Sequence, residues 1–263
     1  MIISSRRFGK FMAVAVMLSV GTFATIAYAS HSWSVYHWAR TLNPFNLKLG
    51  DNVGTAWDSH LVAASGDWSA SSELDTSVVA GASKRNCGSV NGRVEVCNKR
   101  YGNNGWLGVA SIWVSDGHIT QGTVKLNDTY FNTAKYNTPA WRQFVMCQEV
   151  GHTFGLDHQD EDFSNANLGT CMDYTNDPDG TLLGQLDNQH PNAHDYDQLG
   201  LIYAHLDSVT TVGQTISEPR GNGNAADEAD DAGERREDGR GRHALERDLG
   251  NGEKLITFIL WAE

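Results

Sequence analysis

The segment "CQEVGHTFGLDH", residues 147 to 158, brings two histidines, a carboxylate and an amide close together in the chain. Gln148 and His152 are four residues apart, so a helix puts them on one face, about 40° apart around the axis. Glu149 is turned by about 100° from Gln148 and can point toward a cleft. Gly155 can take the left-handed conformation that ends a helix, which returns His158 to the side of His152. Two imidazoles, a neighbouring carboxylate and a tight turn suit a zinc ion with one position left open for water. Zinc lowers the pKa of that water, and Glu149 is then the group to accept its proton and pass it to a leaving amine.

The third donor is open. Gln148 stands where the string H-E-x-x-H-x-x-G-x-x-H has a histidine. An amide oxygen binds zinc more weakly than an imidazole nitrogen. Either Gln148 Oε1 serves as a weak ligand, or another side chain supplies a stronger one, or the site holds no catalytic metal. Asp157, Asp160, Glu161 and Asp162 in "DHQDED" and the more distant His190 and His194 are the alternatives. A buried amide with no partner costs on the order of 1–3 kcal/mol, so Gln148 must meet an ion, a water or a polar group.

Helical and strand patterns place these residues. Thr138 and Pro139 read as the cap and first position of the helix that carries them, with Trp141, Phe144, Val145, Gln148 and His152 as its inward stripe. Trp57, Leu61, Ala64 and Trp68 mark an earlier amphipathic helix. Residues 35 to 48 read as an opening strand and loop, and "GRVEV", "LGVASIWV" and "QGTVKLND" as strands. A later helix is expected from Ala193 to Leu206, capped by Asn192, with Tyr196, Leu199, Tyr203 and Leu206 inward.

With "GTCMDY", residues 169 to 174, the sequence resembles the metzincin metalloproteases. The resemblance covers about residues 35 to 207 and implies an α+β, zincin-like domain. Its expected parts are a twisted, mostly parallel sheet with an antiparallel edge strand, a zinc helix and a C-terminal helix. It implies a zinc-dependent endopeptidase acting on peptides or proteins, with Gln148, His152 and His158 at the metal and Glu149 as base. Met172 matches the methionine beneath the metal, and Gly155 the turn glycine. Tyr174 matches the tyrosine of astacin-like and serralysin-like members, which can bind the metal or stabilise an oxyanion. Matrixin-like members pair an extended substrate with an edge strand, here Gly108, Val109, Ala110 and Ser111. The turn beneath the zinc helix would also bring Cys171 to Cys147 as a disulfide. The rival reading is a pseudoprotease that binds peptides or envelope components without cutting them.

Residues 1 to 29 carry Arg6, Arg7 and Lys10, a long apolar run and Ala27-Tyr28-Ala29, the pattern of a cleaved signal peptide. Export to the periplasm or outside the cell follows, with no stable membrane anchor after cleavage. The chain has 20 basic and 32 acidic residues; loss of those three bases takes the net charge from −12 to −15. That balance excludes nucleic acid as a natural partner. Four cysteines in an exported chain suggest two disulfides. Cys87 pairs with Cys97 if Asn91-Gly92 is a hairpin turn between them. In "NDPDG", Asp177 and Asp179 can bind calcium, though the spacing fits a plain turn better.

After Asp207 the chain turns polar and highly charged, so residues 208 to 240 read as a linker. Residues 241 to 263 return to order as a β-hairpin about Asn251-Gly252. "KLITFILW" is apolar on both faces and needs cover on both, from the main domain or from a partner.

Overall fold

The computed structural model describes residues 31–82, 85–214 and 243–262. The expected signal peptide and most of the expected linker lie outside the described residues. Among the described residues, no helix is long and apolar enough to cross a membrane.

Among the described residues, eight strands form one mixed sheet, and helices pack against it. In chain order the elements are β1 (His37–Trp38), β2 (Phe45–Asn52), α1 (Asp58–Trp68), β3 (Leu74–Ala80), β4 (Val94–Lys99), β5 (Trp106–Ser115), β6 (His118–Asn127), α2 (Asp128–Phe131), α3 (Pro139–His152), α4 (Ala193–Ile202), β7 (Ala244–Gly250) and β8 (Glu253–Trp261). The order across the sheet is β3-β2-β4-β6-β5-β8-β7, with β1 beside β6. Strands β1, β2, β3, β4 and β6 pair in parallel, while β5, β8 and β7 pair antiparallel.

Trp57, Leu61, Ala64 and Trp68 of the α1 region are wholly buried, as their spacing requires. Trp68 Nε1 donates to Cys147 O at 3.1 Å and Trp38 Nε1 to Thr153 O at 2.9 Å, so two core indoles grip the C-terminal half of α3 and its cap. Helix α3 begins as expected: Thr138 caps it by accepting from the Trp141 amide at 3.2 Å, and Pro139 opens it. Asn192 and Asp195 form a capping box at the start of α4.

Three expectations about these elements need correction. Strand β5 is not an edge, because β8 covers its free side from Trp106 to Ser115. The C-terminal hairpin is therefore a continuation of the main sheet. Its two apolar faces are both covered: Ile256, Phe258 and Leu260 join the main core, and Ile259 and Trp261 pack with Trp106 and Val109. Helix α4 stops at Ile202, where Arg40 Nη2 takes the Tyr203 carbonyl at 2.6 Å, and Leu206 is left exposed. The body extends past Asp207, since Thr211 N donates to Ala39 O and Gly213 N to Gly92 O.

Both expected disulfides are formed, Cys87–Cys97 and Cys147–Cys171. The local reason for the first differs from the expectation. Cys87 sits in a 3-10 turn (Arg85–Cys87), and Cys97 lies on β4, which pairs with β2 and β6; no hairpin joins the two cysteines.

Candidate metal centre and its cover

Helix α3 buries Gln148, Glu149 and His152 almost completely. Gly155 then turns the chain at φ 95°, and a Cβ there would lie 2.3 Å from Tyr36 O, so only glycine fits. The turn brings His158 back, and its Nε2 lies 3.0 Å from His152 Nε2, with the rings at 88°. His152 Nδ1 lies 2.9 Å from Leu156 O, which can only accept, so that nitrogen carries the proton. His158 Nδ1 likewise faces the Glu161 carboxylate at 3.2 Å. Burial lowers both imidazole pKa values well below normal, and each ring is further lowered by a neighbouring histidine. Two neutral rings thus present lone pairs to each other, close to the roughly 3.3 Å expected of two imidazole nitrogens on one tetrahedral zinc.

Gln148 Nε2 donates to Cys171 O at 2.9 Å, which fixes the amide's orientation. Its Oε1 is a fully buried acceptor with no hydrogen-bond partner. Glu149 is also fully buried and neither of its oxygens has a well-formed hydrogen bond. Burial raises its pKa well above the usual carboxylate value, offset in part by the nearby Ala110 amide. Gly108 of β5 makes room for it: a Cβ there would sit 2.4 Å from Glu149 Oε1. The donor set, two imidazole nitrogens with an orphaned amide oxygen one helical turn before His152 and a buried carboxylate next to it in sequence, therefore fits a zinc ion.

Residues 169 to 174 pass beneath α3. The Cys147–Cys171 bridge clamps them, Met172 packs against Gly151, and Met172 O accepts from Gln159 N at 2.6 Å. Thr170 Oγ1 bonds both Met172 N and the Asp195 carboxylate, linking this turn to α4. The Tyr174 ring lies 4.4 Å from that of His158.

The C-terminal hairpin covers this centre. Gly108, Val109, Ala110 and Ser111 pair with Leu260, Ile259, Phe258 and Thr257. The Phe258 ring stacks on His152, and His243 Nδ1 meets Tyr174 OH at 2.6 Å. The His243 ring is 6.2 Å from that of His158. Sequence reading did not select His243 or Phe258. A histidine just before an apolar hairpin was the available signal, but nothing in the sequence says which strand that hairpin joins.

The alternative donors are placed elsewhere. Asp157 and Glu161 gather at His158 Nδ1, not at Nε2, and burial raises Asp157 to about 6. Asp160 Oδ1 accepts from Asp162 N, and Asp162 Oδ1 from Ser164. His190 pairs with Asp67, and His194 stacks on His31. In the suggested calcium segment, Asp177 Oδ2 accepts from Leu183 N and Asp179 Oδ1 from Thr181, as turn caps do.

No protein-family model matches the chain, and no curated protein matches it.

Proposed function

We propose that the chain is an exported zinc-dependent endopeptidase of metzincin type whose substrate groove is filled by its own C-terminal strand. The observation that carries the reading is the convergence of the His152 and His158 Nε2 lone pairs at 3.0 Å, on a helix that also buries Gln148 and Glu149. His152, His158 and Gln148 Oε1 would hold the ion. Zinc held there supplies Lewis-acid activation of a water and of the peptide carbonyl. Glu149, kept water-poor and basic by burial, accepts the proton of the attacking water and delivers it to the leaving amine. Tyr174 donates a hydrogen bond to the developing oxyanion once His243 releases its hydroxyl. Two disulfides agree with an oxidising compartment.

Strand β8 supports the substrate geometry as well, for it adds antiparallel to the segment expected to bind an extended peptide. Tethering keeps β8 at an effective concentration on the order of millimolar, above most peptide substrates. Activity is therefore expected only after the hairpin leaves. The test is a chain with a specific protease site inserted between residues 215 and 242, cut, and separated from its C-terminal piece. Zinc-dependent cleavage of a peptide library, absent in Glu149→Ala, is the expected result.

Gln148 and the fitted hairpin favour one second reading, a strand-binding module that does not cut. Equal background cleavage by the opened wild type and Glu149→Ala, with tight rebinding of a 243–263 peptide, would select it.

A further inference from the structure

A second group of imidazoles surrounds one carboxylate oxygen, on parts of the fold that the reaction does not use. His37 Nε2 on β1 lies 3.4 Å from Asp207 Oδ1, His118 Nε2 at the start of β6 lies 3.4 Å from the same atom, and His205 Nε2 lies 3.5 Å from it. The His37 ring stands nearly perpendicular to both others, with centroids 5.0 Å from His118 and 4.8 Å from His205. The carboxylate is aimed by its other oxygen: Asp207 Oδ2 accepts from Arg40 N and Arg40 Nη1, each at 3.0 Å. Oδ1 is thereby presented to the three rings.

His37 is held at both ring nitrogens. Its Nδ1 lies 2.7 Å from Val35 O, a group that only accepts, so the Nδ1 proton is committed there. With Nδ1 anchored on a backbone carbonyl, Nε2 is aimed at Asp207 Oδ1, the orientation common to metal-ligating histidines. A cation among the three Nε2 atoms and Oδ1 would replace these contacts and draw on the same four donors.

We propose that His37, His118, His205 and Asp207 form a second, structural site for a divalent transition ion of the zinc, cobalt or nickel type. Three imidazole nitrogens and one carboxylate oxygen are the donor types such ions take, and nitrogen donors disfavour calcium and magnesium; His37, His118 and Asp207 are already gathered, and His205 is the donor that would close in on the ion. The Arg40 charge lowers the affinity but leaves Oδ1 available, because it is bound at Oδ2. His118 is partly exposed and His205 exposed, so an ion can enter from solvent. The ligands join β1, the start of β6 and the segment that follows α4. The ion would fasten that last segment to the sheet before the chain leaves toward the hairpin.

The test uses the full chain carrying His152→Ala and His158→Ala, which removes the centre on α3, with zinc alone as the probe. About one equivalent of zinc retained after dialysis, and a higher Tm with zinc than with chelator, is the expected result. Adding His118→Ala or His205→Ala, neither at a buried position, should weaken binding at least about tenfold and abolish the Tm shift. Retention below about a tenth of an equivalent, or binding unchanged with both alanines present, overturns the proposal. If the double variant on α3 does not fold, the wild type and its His118→Ala/His205→Ala form are compared; equal zinc contents overturn the proposal equally. A chain that loses all its zinc on the His118/His205 change supports this site and refutes the one on α3, so the two failures are separable.

Discussion

The Phe258 ring lies flat on the imidazole of His152, with centroids 4.3 Å apart and planes 2° apart. One residue belongs to the C-terminal strand and the other to α3, 106 positions earlier. The contact makes the hairpin part of the site. Truncating Phe258 to alanine removes a fully buried ring, a change that typically costs about 3–5 kcal/mol. The loss should fall mainly on hairpin docking. Hydrogen exchange is expected to quicken in residues 106–115 and 253–261 while the α1 core stays protected; uniform loss across the chain would contradict this.

Glu149 and Gly108 are matched in the same way. A methyl group on residue 108 would enter the carboxylate, so Gly108→Ala should cost about 1–3 kcal/mol by overpacking. Most of that cost should vanish in the Glu149→Ala background. A double-mutant cycle read by urea unfolding measures the coupling, and additive costs would show that the two residues do not meet.

Asp173 predicts a pH dependence. Burial raises its carboxyl to about 6, against 3.8 as the ordinary value. The folded chain therefore holds a proton that the unfolded chain has released between these values. Stability falls as pH rises from about 4 to about 6 and the contribution is level above that. Asp173→Asn keeps an acceptor for the Leu168 amide and cannot ionise. Its stability relative to wild type should improve from pH 4 to 6 and then stay constant; a difference that is flat with pH would refute the assignment.

Gln148 should respond to both of its neighbours. Gln148→His puts an imidazole where the orphaned oxygen stands and should tighten zinc binding at least about tenfold. Removing the Cys147–Cys171 bridge, with both cysteines changed to alanine, frees the carbonyl that orients the amide. It should cost about 2–4 kcal/mol and weaken zinc binding, whereas loss of Cys87–Cys97 should lower stability alone. Zinc titration of the three variants decides it; equal zinc affinity in all of them would place Gln148 away from the ion.

Much of this was legible in the sequence because it is local. The Thr138-Pro139 start, the i, i+4 placement of Gln148 and His152, the Gly155 turn and the Asn251-Gly252 turn all follow from backbone preferences over a few residues. The extent of α4 was not legible, because Arg40, far away in sequence, takes the carbonyl that ends it. Nor was the neighbour of β5. An apolar two-faced strand declares that it must be covered, but pairing partners in a sheet are chosen by contacts across the whole chain. His243 and Phe258 reach the centre only through that pairing, and the grouping of His37, His118 and His205 arises from three separate parts of the fold.

Zinc content decides whether His152, His158 and Gln148 hold an ion. The full chain with His118→Ala and His205→Ala, which silences the second group, should retain roughly one equivalent of zinc after dialysis against a dilute zinc buffer. Adding His158→Ala should bring this below about a tenth of an equivalent. A chain with intact His152 and His158 that binds no zinc, or a content that His158→Ala leaves unchanged, would contradict the account.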